Sequence, residues 1–126
     1  MLGKKRKIRA LLIDDDVEFG EMMKSYAEYS SVDLEHHESL IELGSVGGLK
    51  GYDLIICDFF LEAFNGSEVA ELVEVFFYNT PVVIVSGKAE FTDKKREWPS
   101  CVKGVVVKQY RPDMILEKAL TMVGLH

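Results

Sequence analysis

An α/β fold built on a doubly wound parallel sheet is predicted by three observations. Short apolar runs alternate with stretches of helical period five times along the chain. Two of the runs, Ala10-Leu11-Leu12-Ile13 and Leu54-Ile55-Ile56-Cys57, are continuously apolar, as strands buried on both faces must be. Both end in carboxylates, Asp14-Asp15-Asp16 and Asp58. Parallel strands place their carboxyl ends along one edge, so acids far apart in sequence converge there. Converging carboxylates repel one another, which implies a divalent cation, a raised pKa, or both.

The elements follow in order. Ile8–Ile13 is the first strand, and Asp16 is placed to cap a helix whose Phe19, Met22, Met23 and Tyr26 share a face. Val32–His36 alternates apolar and acidic residues and reads as an edge strand. Leu40, Leu43 and Val46 predict a second helix, loosened at its end by Gly44, Gly47, Gly48 and Gly51. Leu54–Asp58 is the third strand, followed by a helix carrying Val69, Leu72, Val73 and Phe76. Val82–Val85 is the fourth strand. The helix expected after it is weak, because Phe91 and Trp98 are its only large apolar residues and Pro99 stops it. Val105–Val107 is the fifth strand, and Pro112 opens a last helix with Leu116, Ala119, Leu120 and Val123 inward. Right-handed crossovers leave few topologies for such a chain. The expected one is the flavodoxin-like (βα)5 sheet in the order 2-1-3-4-5.

Composition bounds the function classes. A chain of 126 residues fits one domain, and 48% hydrophobic content is ordinary for a globular protein. A net charge of -6 argues against direct nucleic-acid binding by the body of the domain. Lys4, Lys5, Arg6, Lys7 and Arg9 concentrate five of the fifteen basic residues ahead of the first apolar run. Residues 1–7 are therefore read as a solvated basic tail, and 8–126 as the domain. Apolar runs are far shorter than a membrane span, and the N-terminus lacks the apolar stretch of a signal peptide. Cys57 and Cys101, each in or beside a strand, read as buried reduced thiols, and a cytoplasmic location is expected.

Four strand ends carry chemistry. Asp14 and Asp15 follow the first strand, Asp58 closes the third, Ser86-Gly87 follows the fourth and Lys108 the fifth. Each has a bland reading alone, as a cap, a turn residue or a solvated lysine. Together they form carboxylates, a hydroxyl and an ammonium on one edge. Carboxylates with Mg²⁺ (or Mn²⁺) make an oxygen site that leaves positions open for phosphate oxygens. A carboxylate beside that ion is a nucleophile toward phosphorus, and an ammonium neutralises the charge that develops.

These residues resemble the receiver domain of two-component response regulators over about Ile8 to Val123. Leu11 to Asp16 is similar to the family's acidic pair after strand 1. Tyr52 to Asp58, with Gly66 eight residues on, is similar to its phosphoacceptor segment. Pro81 to Gly87 matches the strand ending in Ser or Thr plus a small residue, and Gly104 to Lys108 its lysine strand, twenty-two residues after Ser86. The resemblance implies Asp58 as phosphoacceptor and Mg²⁺ held by Asp14, Asp15, Asp58 and the Phe60 backbone carbonyl. Ser86 is then the switch hydroxyl and Lys108 the phosphate-binding cation. It implies a histidine kinase or phosphotransfer protein as donor and a downstream protein target, with no membrane partner. The domain would catalyse its own phosphorylation and dephosphorylation without being a conventional enzyme. A readout face, or a homodimer contact, is expected on the fourth helix, fifth strand and fifth helix. The residues after Lys108 fit one helix and no output domain, so the chain is expected to act through a partner or as a piece of a longer regulator or hybrid kinase.

Some positions depart from the family pattern. Gln109 stands where proline with a cis peptide is usual, so a trans bond and a different loop shape are expected. Val105 stands where an aromatic switch residue is common, and Glu62 replaces a frequent proline. Phe60 and Lys88 occupy the two positions that tune dephosphorylation, and a bulky Phe60 is expected to slow it. These departures keep a rival reading open, a degenerate receiver acting as a constitutive binding module. A haloacid-dehalogenase-type phosphatase would use Asp14 as nucleophile, leave Asp58 idle and need a further acidic strand after Lys108. Flavodoxin itself would need a neutral phosphate loop where three aspartates stand. The pair His36-His37, with no Cys/His cluster around it, is read as structural. Phe76-Phe77-Tyr78 exceeds what one helical face buries, and one exposed ring is expected.

Overall fold

A computed structural model describes residues 7–77, 79–87 and 97–125. Five strands, β1 (Ile8–Ile13), β2 (Val32–His37), β3 (Leu54–Asp58), β4 (Val82–Ser86) and β5 (Val102–Val107), pair in parallel in the order β2-β1-β3-β4-β5. The helices are α1 (Val17–Tyr29), α2 (Gly66–Phe76) and α3 (Pro112–Met122). None among the described residues is long and apolar enough to cross a membrane.

Side chains alternate across a strand, so each central strand serves two cores. Ala10, Leu12, Leu54, Ile56, Val83 and Val85 pack with Phe19, Met23 and Ala27 of α1 and with Ile115, Leu116 and Ala119 of α3. On the opposite face, Leu11, Ile13, Ile55, Cys57 and Ile84 pack with Val69, Ala70 and Val73 of α2. The central strands are fully enclosed, and β2, with every second residue exposed, forms the edge. A side chain buried this completely contributes about 1.5–3 kcal/mol. The sheet is thus a stiff platform whose carboxyl edge can hold charged groups in place.

Local signals set the helix starts. Asp16 caps α1, its carboxylate accepting from the Phe19 N–H at 3.0 Å. Asn65 and Glu68 form a reciprocal capping box at α2. Pro112 occupies the first turn of α3, where its missing N–H costs nothing.

The stretch after β2 departs from the expected helix. Leu43 and Gly44 donate to the carbonyls of Leu40 and Ile41, bonds of a tight turn, and only the 3-10 segment Val46–Leu49 follows. Three apolar residues at helical spacing are outweighed by four glycines, and Gly44 has a φ of +85° that no α-helix accommodates. Leu40 and Leu49 are nonetheless buried under the sheet. The fifth strand also begins three residues earlier than expected, at Val102, through a register shift at Val82/Val83. Residues 88–96 of the expected weak fourth helix, Lys88 among them, lie outside the described residues, as does the tail through Arg6, while Trp98, read as part of its stripe, is not helical and stands edge-on to Phe59 at 5.9 Å. Among the described residues no peptide bond is cis, so the one joining Lys108 to Gln109 is trans as expected. Of the aromatic run, Phe76 is exposed and Phe77 packs against the core, while Tyr78 lies outside the described residues.

Candidate functional site

The carboxyl ends of β1, β3, β4 and β5 bring Asp14, Asp58, Ser86 and Lys108 to one edge. The register explains why. Asp58 pairs with Val85 and Ser86 with Val107, so these strands end within one residue of the same level. Bonds beyond the ladder extend that order, with Phe59 donating to Val85 O at 2.9 Å and Lys108 to Ser86 O at 2.8 Å. Asp14 donates to His37 O at 3.0 Å in the same way.

Asp14 is fully buried, Asp58 and Ser86 nearly or wholly so, and Asp15 is exposed. One oxygen each from Asp14, Asp15 and Asp58 lies within 4.8 Å of the others. The Lys108 ammonium reaches into the cluster, 3.1 Å from Asp14 Oδ1, 2.9 Å from Asp14 Oδ2 and 3.8 Å from Asp58 Oδ2. Its approach to Oδ2 is close but poorly angled, leaving that buried oxygen without a hydrogen bond. A fully buried carboxylate oxygen in that condition, with two further carboxylates beside it, is a donor set suited to a hard divalent cation.

The electrostatics follow from crowding. Burial and then the Asp14 charge push Asp58 up to about 6, against which Lys108 and the Phe60 N–H pull only partway. Asp14 is also raised, chiefly by burial. Burial lowers the Lys108 ammonium, but the Asp14, Asp58 and Asp16 carboxylates outweigh it and the net shift is upward. Among the described residues, the one ammonium at this edge faces more negative charge than it can neutralise.

Backbone details hold the loop that follows Asp58. The Phe60 N–H donates to Asp58 Oδ1 at 3.2 Å, and Gly66 N–H to Phe59 O at 2.9 Å. A Cβ at residue 66 would come within 2.9 Å of the Phe59 Cα and 3.0 Å of the Asp58 carbonyl, which is why glycine stands eight residues after the aspartate. The ring of Phe60 is 43% exposed and stands edge-on to Phe59 at 5.0 Å. Gln109, in the place of the usual proline, uses its side-chain amide to donate to Gly87 O at 3.1 Å. Val105, in the place of the aromatic, packs partly buried against the core.

Two contacts were not legible from spacing. Phe19 of α1 lies under the Lys108 ammonium at 4.7 Å from the ring centroid, a cation–π contact steering the lysine toward the acids. His36, read as merely structural, places Nε2 2.7 Å from the Asp14 carbonyl. Gly20 was the available signal for the second contact. A glycine inside a helix face is an anomaly, and here it abuts the His36 ring. His37 bonds Glu42 at 3.1 Å.

Known proteins share this fold. Among solved structures, the chemotaxis response regulator CheY4 of Vibrio cholerae superposes with a TM-score of 0.79 at 20% identity, over 92% of this chain and 98% of that one. The response regulator TrrA of Thermotoga maritima, solved in complex with Mg(2+)-BeF, gives 0.76 at 22% identity, over 91% and 98%. In sequence, the cell cycle transcriptional regulator CtrA of Caulobacter vibrioides is 26% identical over 119 residues, 92% of this chain and 50% of that protein. The nisin biosynthesis regulatory protein NisR of Lactococcus lactis is 26% identical over 80 residues, 64% of this chain and 34% of that protein. The chain spans about half the length of the CtrA proteins it matches. The response regulator receiver domain model matches residues 10–120, a span that takes in β1 from Ala10, the other four strands whole and Asp14, Asp15, Asp58, Ser86 and Lys108 of the edge, and the chain belongs to that family.

Proposed function

We propose that this receiver domain is a working phosphoacceptor, with Asp58 taking a phosphoryl group from a histidine kinase or phosphotransfer protein. The observation that carries the reading is the setting of Asp58: nearly buried at the end of β3, beside Asp14, with an ammonium 3.8 Å away. No group of the expected set is replaced, which weighs against a degenerate module.

In the transfer, a carboxylate oxygen of Asp58 attacks phosphorus, the O–P bond forms, and the bond to the donor imidazole breaks with its electron pair leaving on nitrogen. Asp14, Asp15, Asp58 and the Phe60 carbonyl would hold Mg²⁺, which neutralises charge on the phosphoryl oxygens when bound. Lys108 supplies a second positive charge, turned from Asp14 toward the new phosphoryl group. Ser86, at the adjacent strand end, supplies a hydroxyl for one of its oxygens. Movement of Ser86 and Lys108 would bias a pre-existing equilibrium between two states and alter a protein-binding face that includes β5 and α3. With Val105 in β5, that bias would run without an aromatic rotamer. Residues 8–126 form the functional unit on this reading, with 1–7 as a basic tail. The buried free thiols Cys57 and Cys101 fit a reducing, cytoplasmic setting.

Intact mass after incubation with acetyl phosphate and Mg²⁺ tests the proposal. One added phosphoryl group is expected on the parent chain, and none on Asp58→Asn or on metal-free protein. An adduct that persists in Asp58→Asn would overturn the assignment of the nucleophile. The exposed Phe60 ring suggests a long-lived adduct, since it crowds the approach of water. Phe60→Asn is expected to shorten the adduct's half-life severalfold; equal half-lives would remove Phe60 from that role.

A further inference from the structure

Three successive peptide planes carry the acidic pair, and each is held by a different partner. The plane entering Asp14 is fixed by its N–H donating to His37 O at 3.0 Å. The plane leaving Asp15 is fixed by the Asp16 N–H donating to Asp14 Oδ1 at 2.9 Å. Between them lies the peptide joining Asp14 to Asp15, and its carbonyl meets the His36 imidazole, Nε2 to oxygen 2.7 Å. This middle plane matters most. Rotating it swings the Asp14 and Asp15 side chains relative to each other.

The ring reaches that carbonyl because of what is missing from α1. His36 is half-buried at the end of β2, and its other edge lies against Gly20. A Cβ on residue 20 would come within 2.3 Å of both Cε1 and Nδ1, far inside any real contact. Glycine within a helix lowers its stability relative to alanine, so this position, fourth in α1, gives up propensity for the space the ring occupies.

We propose that His36 is a positioning residue for the divalent-cation site: its imidazole holds the Asp14 carbonyl, and Gly20 is the opening that admits the ring. The neutral ring must then carry its proton on Nε2, because a carbonyl only accepts. His36 touches neither metal nor phosphorus; it fixes the backbone from which Asp14 and Asp15 are presented, as an outer-shell partner orients a ligand. The inference rests on the reading of Asp14 and Asp15 as Mg²⁺ ligands.

The test compares His36→Gln, which keeps an amide donor the same number of bonds from Cα, with His36→Leu, which keeps bulk and loses the donor. Mg²⁺ alone is titrated into each by calorimetry, and thermal unfolding is followed in EDTA. His36→Leu is expected to bind Mg²⁺ roughly 10-fold more weakly than the parent. His36→Gln should stay within about threefold, at a melting temperature matching that of His36→Leu. Equal weakening in both variants, or none in His36→Leu, overturns the proposal. Gly20→Ala is the independent variant, made in the better helix former. It should weaken Mg²⁺ binding by a similar factor by displacing the ring, and parent-like affinity overturns the packing half. Imidazole ¹⁵N spectra of the metal-free parent should show the proton on Nε2 of His36; an Nδ1–H tautomer contradicts the hydrogen bond directly. A parent chain that takes up no Mg²⁺ overturns the ligand reading and this inference with it, and its own titration tells that failure apart.

Discussion

At the amino end of the sheet, Arg9 lies 5.0 Å over the Tyr52 ring, donates from its guanidinium to Gly51 O at 3.1 Å, and from its backbone to Asp53 Oδ2 at 2.8 Å. The Tyr52 hydroxyl in turn donates to Glu35. At the carboxyl end, Lys108 faces Asp14, Asp16 and Asp58 at once, and a buried Asp14 oxygen lacks a hydrogen bond. One end distributes its charges into pairs; the other concentrates like charges on one point. The sheet is thus stabilised by paired charges at its amino end and left electrostatically unsatisfied at the edge where a cation and a phosphoryl group would arrive. Such sites raise pKa values because they are built for a charge that is not always present.

Removing the Lys108 ammonium should have the largest effect on this contrast. Lys108→Met leaves Asp14 buried without its cation, and breaking a pair of this kind is expected to cost about 2–4 kcal/mol at pH 7.5 without metal. The loss has a definite pH dependence. Asp14 is already raised and rises further without Lys108, so the folded state holds its proton more tightly than the unfolded one. The penalty is therefore absent at low pH and grows as pH rises through the folded value. Denaturant midpoints at pH 4.5 and 7.5 check this; a penalty independent of pH would mean that Lys108 stabilises through its stem.

How much of this was legible follows from where each signal lies. Continuous apolar runs identified β1 and β3 as central, and the acids at their ends placed the site, because strand direction and burial are local properties. The alternation in Val32-Asp33-Leu34-Glu35 marked the edge strand for the same reason. The segment 40–49 was misread because Leu40, Leu43 and Val46 have helical spacing while the turn at Gly44 is decided by backbone conformation. Contacts between elements were the real blind spot. Lys108 on Phe19 and His36 on Asp14 join residues far apart in sequence, and no periodicity reports such a meeting.

Neutralising Asp58 should give the next effect, with opposite sign. Asp58 has a folded pKa of about 6 against 3.8 for a free carboxyl. A raised carboxyl contributes its stability in the protonated form, fully below the unfolded value, and loses it as pH climbs through the folded one. Asp58→Asn cannot ionise, so without metal it should be about 1–3 kcal/mol more stable than the parent at pH 7.5. The gap should close toward pH 4, and saturating Mg²⁺ should narrow it at pH 7.5 by pairing the parent's carboxylate. A variant less stable than the parent at pH 7.5 would show that Asp58 is already satisfied.

The smallest effect belongs to the paired end. Tyr52→Phe removes the hydroxyl that reaches Glu35 and leaves the ring under Arg9, so the expected cost is about 0.5–1 kcal/mol. Its pH window is elsewhere. Burial and the Glu35 bond raise the phenol from 10.0 to about 12, so its contribution is fully present below pH 10 and lost only as pH rises through about 12. Between pH 4.5 and 7.5 the Tyr52→Phe penalty should be flat, while those of Lys108→Met and Asp58→Asn move with pH. A slope in Tyr52→Phe over that range would mean that the amino end is less satisfied than its contacts imply. A flat line there, beside two sloping ones, assigns the pH sensitivity of the fold to the edge that holds the acids.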